Sequence, residues 1–351
     1  MADRRNSYFA VFDDDAVPWD PHDPEDLPLP DCAYFGGVFR ELERRWDGPP
    51  LTVFMTKDTT WLPRYGADVV SVLLNEEWFR TPAYTDAVRA VARNLPGRPW
   101  FPWSTMAPPS AGAAFALANH ARILAERARA QRRAQRIAQA KGWPAPGPGN
   151  TIDVPLGYFR QPARAVRPLS ERATDVYFGG SLVHDAARGP RWKRAAKRTV
   201  GNPKLVARRQ MLRELQRVRF RHPRLRARVT LSGEFRELGA AQVGDYATEM
   251  MDARIALVPR GTAAESYRLF EAWRYGCVAV CEPLPPRWFL DGAPVVTVRS
   301  WRELEPTLVG LLNDPSRLRS LHLASLRWWE TVCGEAAVAG HLAARLHAAA
   351  P

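Results

Sequence analysis

Between Ile255 and Cys281 the chain alternates apolar runs with glycine-bearing turns, in an order that few folds accommodate. Ile255 to Val258 is a short apolar run with the length of a buried strand. Pro259-Arg260-Gly261-Thr262 interrupts it, and Glu265-Ser266 offers capping groups for a helix from Ser266 to about Tyr275. Leu269, Phe270 and Trp273 give this helix an apolar side, and Gly276 supplies the left-handed residue that ends it. Cys277 to Val280 reads as a second buried strand. Strand, helix and strand make a βαβ unit. The N-terminus of its helix presents unpaired N–H groups and a positive dipole end, which favour phosphate.

The polar residues of the helix sharpen this reading. Arg268 and Glu271 are three apart and share a face. An arginine near a helix start can grip a diphosphate in a fork, and a carboxylate one turn on can accept two ribose hydroxyls. A plain surface ion pair is the alternative on spacing alone. The ordered pattern Pro259, Arg260, Gly261, Ser266, Arg268, Glu271, Gly276, Cys277 and Val280 resembles the exostosin-type glycosyltransferases, in their bacterial branch. Ile152 to Tyr158 (IDVPLGY), then Val176 to Ser181 (VYFGGS) and an arginine-rich helix resemble the approach to that family's nucleotide-sugar domain. Val69 to Trp78 (VVSVLLNEEW) resembles its first-domain strand ending in an acidic pair. The likeness is good over about residues 150–300 and weak before them.

The resemblance implies an α/β fold of GT-B architecture, with two facing Rossmann-like domains. Residues 1–150 would form the acceptor side, 151–330 the nucleotide-sugar side, and 331–351 a helix returning to the first domain. It implies an inverting transfer of a sugar from a UDP- or GDP-sugar to an acceptor hydroxyl, without a bound metal or other cofactor. The donor would meet Arg260, Gly261, Glu265, Ser266, Tyr267, Arg268, Glu271 and Gly180. Glu271 would take the ribose and Ser266 would lie near the phosphates. Many retaining GT-B enzymes carry a second glutamate eight residues before the ribose-binding one. Ala263 stands there in this chain, which leans toward inversion.

An inverting transfer needs a base for the acceptor's proton and positive charge for the departing nucleoside diphosphate. Glu76 and Glu77 end a buried strand, where open α/β sheets bind ligands, and rank first as base; Asp58 ranks second. A carboxylate at a helix start would be the structural alternative for either glutamate. Gly179-Gly180-Ser181 after a strand can approach a phosphate or simply turn tightly. Asp13-Asp14-Asp15 contains a D-x-D, which in a metal-dependent GT-A transferase would hold Mg²⁺ or Mn²⁺ through Asp13 and Asp15.

The net charge of +13 is local: residues 186–228 hold sixteen Lys/Arg against the single acid Glu214. This stretch reads as a solvated helix and loop, as a wall for a diphosphate or an anionic or lipid-linked acceptor, or as a surface for nucleic acid or membrane. A non-enzymatic binder of anionic polymer is therefore the rival function, although no nucleic-acid module is visible. The N-terminus lacks the apolar core of a signal peptide and no run reaches the length of a membrane span, so a cytoplasmic protein is expected. Four scattered cysteines suggest neither zinc nor disulfides; Cys277 and Cys281 read as small buried hydrophobes.

Along the rest of the chain, strands are expected at Tyr8–Phe12, Leu51–Met55, Asp68–Leu74, Asp175–Phe178 and Arg226–Leu231, and helices at 35–46, 111–141, 203–219 and 243–251. Thr85–Asn94 is expected to be helical, Trp100–Pro109 irregular, and Gly142–Gly149 a linker. One long helix from Pro315 to Leu346 closes the chain.

Overall fold

The computed structural model describes residues 6–13, 15–23, 28–100, 111–159, 165–182, 203–232, 240–261 and 263–349. Two separate, largely parallel sheets organise it. The first runs β2 (Asp15–Pro18), β1 (Ser7–Phe12), β3 (Thr52–Thr56), β4 (Gly66–Leu73), β5 (Val88–Arg93), β6 (Thr151–Asp153), with only the β1–β2 hairpin antiparallel. The second runs β11 (Val295–Thr297), β10 (Val278–Cys281), β9 (Ala253–Val258), β7 (Thr174–Ser181), β8 (Ala227–Ser232), all parallel. This is the α/β architecture of two Rossmann-like units that a GT-B fold requires.

The second sheet shows why its strands read as continuous apolar runs. Val176, Phe178, Ile255, Leu257, Val278 and Val280 face one side. There they meet α3 (Pro203–Arg221), α6 (Leu304–Leu312) and the start of α7 (Pro315–Trp328). Tyr177, Ala256, Val258, Ala279 and Cys281 face the other, against α4 (Ala240–Met251) and α5 (Tyr267–Arg274). With helices on both faces, neither register position is left to water. Cys277 and Cys281 are buried and form no disulfide, as is true of Cys32 and Cys333.

In the first sheet the main apolar face is covered by α1 (Cys32–Glu43) through Phe35, Val38, Phe39 and Leu42. The C-terminal helix α8 (Glu335–Ala348) packs on α1 through Val338, Ala339, Leu342 and Leu346, so the chain's end returns to the first unit. The expected single helix from Pro315 is broken: α7 gives way to a π turn at Trp329–Cys333, and Gly334 leaves helical geometry at ψ 163°. That break lets α7 stay on the second unit while α8 crosses to the first. At the far end Arg89 donates from Nε and Nη2 to the Leu346 carbonyl, at 3.1 and 2.8 Å, satisfying an acceptor that the helix leaves open.

One further expectation changes. Thr85–Asn94 is not a helix: a single 3₁₀ turn at Thr85–Ala87 leads into β5, which is buried along its whole length between β4 and β6. The proline- and acid-rich segment after Asp13 opens with the short strand β2. Thr151–Asp153 pairs in parallel with β5 as an edge strand of the first sheet. The alanine-rich helix α2 (Ala111–Ala140) is present and largely exposed where its side chains are described, with Ile123, Ala134 and Ala138 among its buried positions. Among the described residues no helix is long and apolar enough to cross a membrane.

Leu342→Ala should cost about 2–5 kcal/mol by leaving a cavity under α1. Leu323→Ala, at an exposed site of α7, should stay within about 0.5 kcal/mol. Urea unfolding midpoints of the two variants test whether α8 is an integral part of the first unit.

Candidate functional site

The C-terminal edges of the two sheets meet across one boundary, and α5 begins there. Its second residue, Arg268, is 6 % exposed, with Nε donating to the Gly179 carbonyl and the guanidinium 5.3 Å over the Phe178 ring. A Cβ on Gly180 would collide with Nη2 of Arg268, so this approach to the end of β7 requires glycine. From α3, Arg208 reaches the same edge: Nη1 donates to the Ser181 carbonyl, while its buried Nε has no hydrogen-bond partner. Burial and the charge of Arg268 lower the Arg208 pKa to about 9. Among the described residues no carboxylate lies within ion-pair distance of either guanidinium. Two buried cations that repel each other are costly unless an anion lies between them.

Glu271, one turn further along α5, is fully buried. Tyr246 Oη donates to its Oε2 at 2.8 Å and the Phe159 N–H to its Oε1 at 3.4 Å. Burial raises its pKa to about 7, against the lowering pull of Tyr246 and Arg268. Each carboxylate oxygen has a second lone pair for a further donor. Ser266 occupies the N-cap in extended backbone but makes no side-chain capping bond, and its buried hydroxyl has no partner among the described residues. The first turn of α5 thus lacks a side-chain acceptor from its own cap.

The loop into α5 is tightly drawn. Gly261 N–H bonds the Ala264 carbonyl at 3.3 Å, Ala264 sits at φ +75°, and a Cβ on Gly261 would strike the Glu265 carbonyl. This turns Glu265 inward to a buried ion pair with Arg287, at 2.9 Å; burial raises the Glu265 pKa to about 6 despite that partner. Thr262 lies outside the described residues. The Arg260 N–H donates to Glu282 at 2.8 Å, and burial lowers the pKa of the Arg260 side chain against the opposing charge of Glu282.

The first unit reaches this helix through its strand ends. Tyr267 Oη lies within hydrogen-bond reach of the Asp31 carboxylate and, at 2.8 Å, of the Asn75 side-chain oxygen. Burial and Asp31 raise the Tyr267 pKa far above its usual range. Asn75 follows β4 in a left-handed conformation (φ +54°), with its N–H bonded to Asn94 Oδ1 at 2.7 Å. Asparagine tolerates that conformation better than most residues. Asp31 and Arg208 were not singled out from sequence. Arg208 carried a signal all the same, as a cation in the apolar stripe Leu205, Arg208, Met211, Leu215.

The carboxylates expected to serve as base fall in different environments. Both Glu76 oxygens are engaged at the turn after β4: Oε1 accepts from Trp78 N–H at 3.0 Å, and Oε2 from Arg80 N–H and Nε at 3.1 and 2.8 Å. Asp58 Oδ1 accepts from Thr60 Oγ1 at 2.7 Å and Trp61 N–H at 3.1 Å, holding the turn after β3. Glu77 is exposed, and its carboxylate makes no hydrogen bond among the described residues. Asp13 (φ +48°) and Asp15 flank the β1–β2 turn, two strands away from β4; Asp14 lies outside the described residues. Among the described residues no group of three or more His, Cys, Asp or Glu side chains is placed to hold a metal ion. Of the basic stretch, residues 186–202 also lie outside. In its described part Arg217, Arg221, Arg226 and Arg228 are ion-paired, while Arg209, Arg213, Arg219 and Arg224 are exposed beside Phe220.

No protein-family model matches the chain, and no curated protein matches it by sequence. Among solved structures it is similar to a GtfA/B complex, at 13 % identity over 81 % of this chain and 57 % of that chain, with a TM-score of 0.43. It is similar to the pneumococcal O-GlcNAc transferase GtfA in complex with UDP and GlcNAc, at 9 % identity over 98 % and 69 %, TM-score 0.43. It is also similar to Anabaena Alr3699/HepE in complex with UDP-glucose, at 10 % identity over 91 % and 77 %, TM-score 0.35. The chain spans little more than half the length of the first of the solved structures it matches. At such TM-scores these likenesses carry no weight for the site, whose chemistry comes from this chain's own residues.

Glu271 gives the site a pH signature. With its pKa raised from 4.5 to about 7, the neutral form stabilises the fold below pH 4.5, and that contribution is lost as pH rises to about 7. Glu271→Gln, which cannot ionise, should therefore gain stability over the parent chain as pH rises through this window. Thermal midpoints between pH 4 and pH 8 check it, and parallel profiles for the two proteins would contradict it.

Proposed function

We propose that this chain is a glycosyltransferase that moves a sugar from a nucleoside-diphosphate sugar to an acceptor hydroxyl, with inversion and without a metal. One observation carries this reading: two buried guanidiniums, Arg268 and Arg208, stand at the end of β7 beside the N-terminus of α5 with no carboxylate partner among the described residues. A diphosphate satisfies every group there that the protein leaves unsatisfied. Its oxygens take the forks of Arg268 and Arg208, the Ser266 hydroxyl and the first-turn N–H groups. Gly180 and Gly261 keep the backbone close, and Tyr267 fixes the helix start against Asp31 and Asn75. Arg260 and Glu265 shape the loop beneath.

The ribose then falls to Glu271, whose second lone pairs accept hydroxyl protons once the Phe159 N–H yields its place. As the glycosidic bond breaks, charge grows on the β-phosphate oxygen, where the two arginines are already fixed; preorganised cations of this kind lower the barrier most. The acceptor's proton goes to a carboxylate of the first unit. Of Glu76, Glu77 and Asp58, Glu77 fits best, because its carboxylate is not already held by the turn that carries it.

The exposed arginines 209, 213, 219 and 224 with Phe220 favour a second reading, the binding of an anionic polymer on the outer face of α3. Calorimetry with UDP and GDP separates the two. The transferase reading expects micromolar binding of one of them, weakened at least about tenfold in Arg268→Ala and in Arg208→Ala. No nucleotide binding, together with steeply salt-dependent heparin or DNA binding, would replace it with the second. For the base, Glu77→Gln should abolish transfer while leaving nucleotide affinity intact, and full turnover in that variant would remove Glu77 from the mechanism.

A further inference from the structure

A third guanidinium without a carboxylate partner among the described residues lies across the boundary, at the end of β5. Arg93 is 2 % exposed, yet its Nε and Nη2 make no hydrogen bond, and no carboxylate stands within ion-pair distance among the described residues. Burial lowers its pKa to about 10, so it stays a cation near neutrality. Its nearest charges are spent elsewhere: Glu76 holds the turn after β4 and Arg80, and Asp153 pairs with Arg287 at 3.2 Å. Among the described residues the Nδ2 of the neighbouring Asn94 is buried without an acceptor, and so is the Nε of Arg287. Arg287 ties the group together by donating to the carbonyls of Arg93 and Asn94, at 3.3 and 3.4 Å. Four covered N–H donors are therefore carried by three residues that the Arg287 hydrogen bonds link, two of them successive at the end of β5.

Leaving a buried donor unmet costs about 1–3 kcal/mol each, and more for a charged group, so an apolar residue at Arg93 would serve β5 better. Nε and Nη2 form the side-on edge with which a guanidinium grips two oxygens at once. Half-buried Gly97 covers the third nitrogen, Nη1, with backbone alone: a Cβ there would stand 3.5 Å away. The cluster lies at the end of β5 in the first sheet, whereas Arg208 and Arg268 bond the carbonyls at the end of β7 in the second.

We propose that Arg93, Asn94 and Arg287 form an oxyanion subsite for the acceptor, so that the hydroxyl to be glycosylated arrives on a molecule bearing a phosphate or carboxylate. This rests on the transferase reading and assigns the substrate class of its acceptor side. The anion would sit against the first sheet, between the carboxylate-bearing turn after β4 and the start of α5, and would fix the acceptor's orientation before transfer.

Thermal unfolding of the whole chain in inorganic phosphate at constant ionic strength, with UDP held saturating, tests the subsite. Phosphate at about ten times its Kd should raise the parent's midpoint by about 2–6 °C. Arg93→Met should lose that response, keep the UDP affinity, and unfold at or above the parent's midpoint without phosphate. Arg93→Lys, which keeps the charge without the fork, should respond to phosphate at least about fivefold more weakly. A phosphate shift that survives in Arg93→Met would overturn the proposal. So would a drop in UDP affinity in that variant, which would make the donor the anion's source, or an unfolding midpoint well below the parent's, which would make Arg93 structural. A parent chain that binds phosphate but not UDP defeats the transferase reading instead, and the two failures are told apart in the same titration.

Discussion

Among the described residues Arg268 enters the protein interior without a carboxylate to meet it, and much of the second unit is arranged around that fact. The guanidinium reaches the end of β7 only because Gly180 has no Cβ, and it rests on Phe178 while bonding the Gly179 carbonyl. Its place on α5 follows from the βαβ unit, whose two strands lie side by side in the sheet and fix where the helix begins. Arg208 arrives from α3, a helix packed on the opposite face, so helices from both faces deliver positive charge to one strand end. A buried charge left in this state weakens the apo fold and strengthens the hold on an anion, the trade expected of a binding site rather than a core.

The boundary between the units supplies the other half. Tyr267 meets Asp31 and Asn75, and Arg287 meets the carbonyls after β5, so residues at the start of α5 and after β10 are read directly by the strand ends of the first sheet. α8 crosses back onto α1 and adds a covalent and apolar tie. A donor gripped at β7 and an acceptor gripped at β5 would thus be held by two sheets whose relative position the same contacts set. That is how two bound molecules come to lie in one reactive geometry.

The parts legible in the sequence were those where one signal spoke alone. The βαβ unit could be read because its strands are apolar on both faces, its helix has a clean apolar side and Gly276 (φ +67°) marks its end. β5 was misread because Arg89 and Arg93 look like solvent-facing positions of a helix opened by Thr85. Instead Arg89 satisfies the end of α8 and Arg93 stands in the interior without a carboxylate partner among the described residues, and neither role leaves a trace in local periodicity. Arg208 was hidden among sixteen basic residues, although it falls on the buried stripe of its helix. Asp31 lay in a proline- and acid-rich stretch where one more carboxylate drew no notice. The break at Gly334 was missed for a related reason: the flanking alanine- and leucine-rich sequence favours helix on both sides, and only the need to cover two different units separates α7 from α8.

A crystal structure of the chain grown with UDP addresses the central claim most directly. The diphosphate should lie within hydrogen-bond distance of both Arg268 and Arg208, at the N-terminus of α5, with the ribose hydroxyls on Glu271. A nucleotide bound elsewhere, or a site in which the two arginines keep their present partners while UDP occupies no part of this edge, would contradict the account.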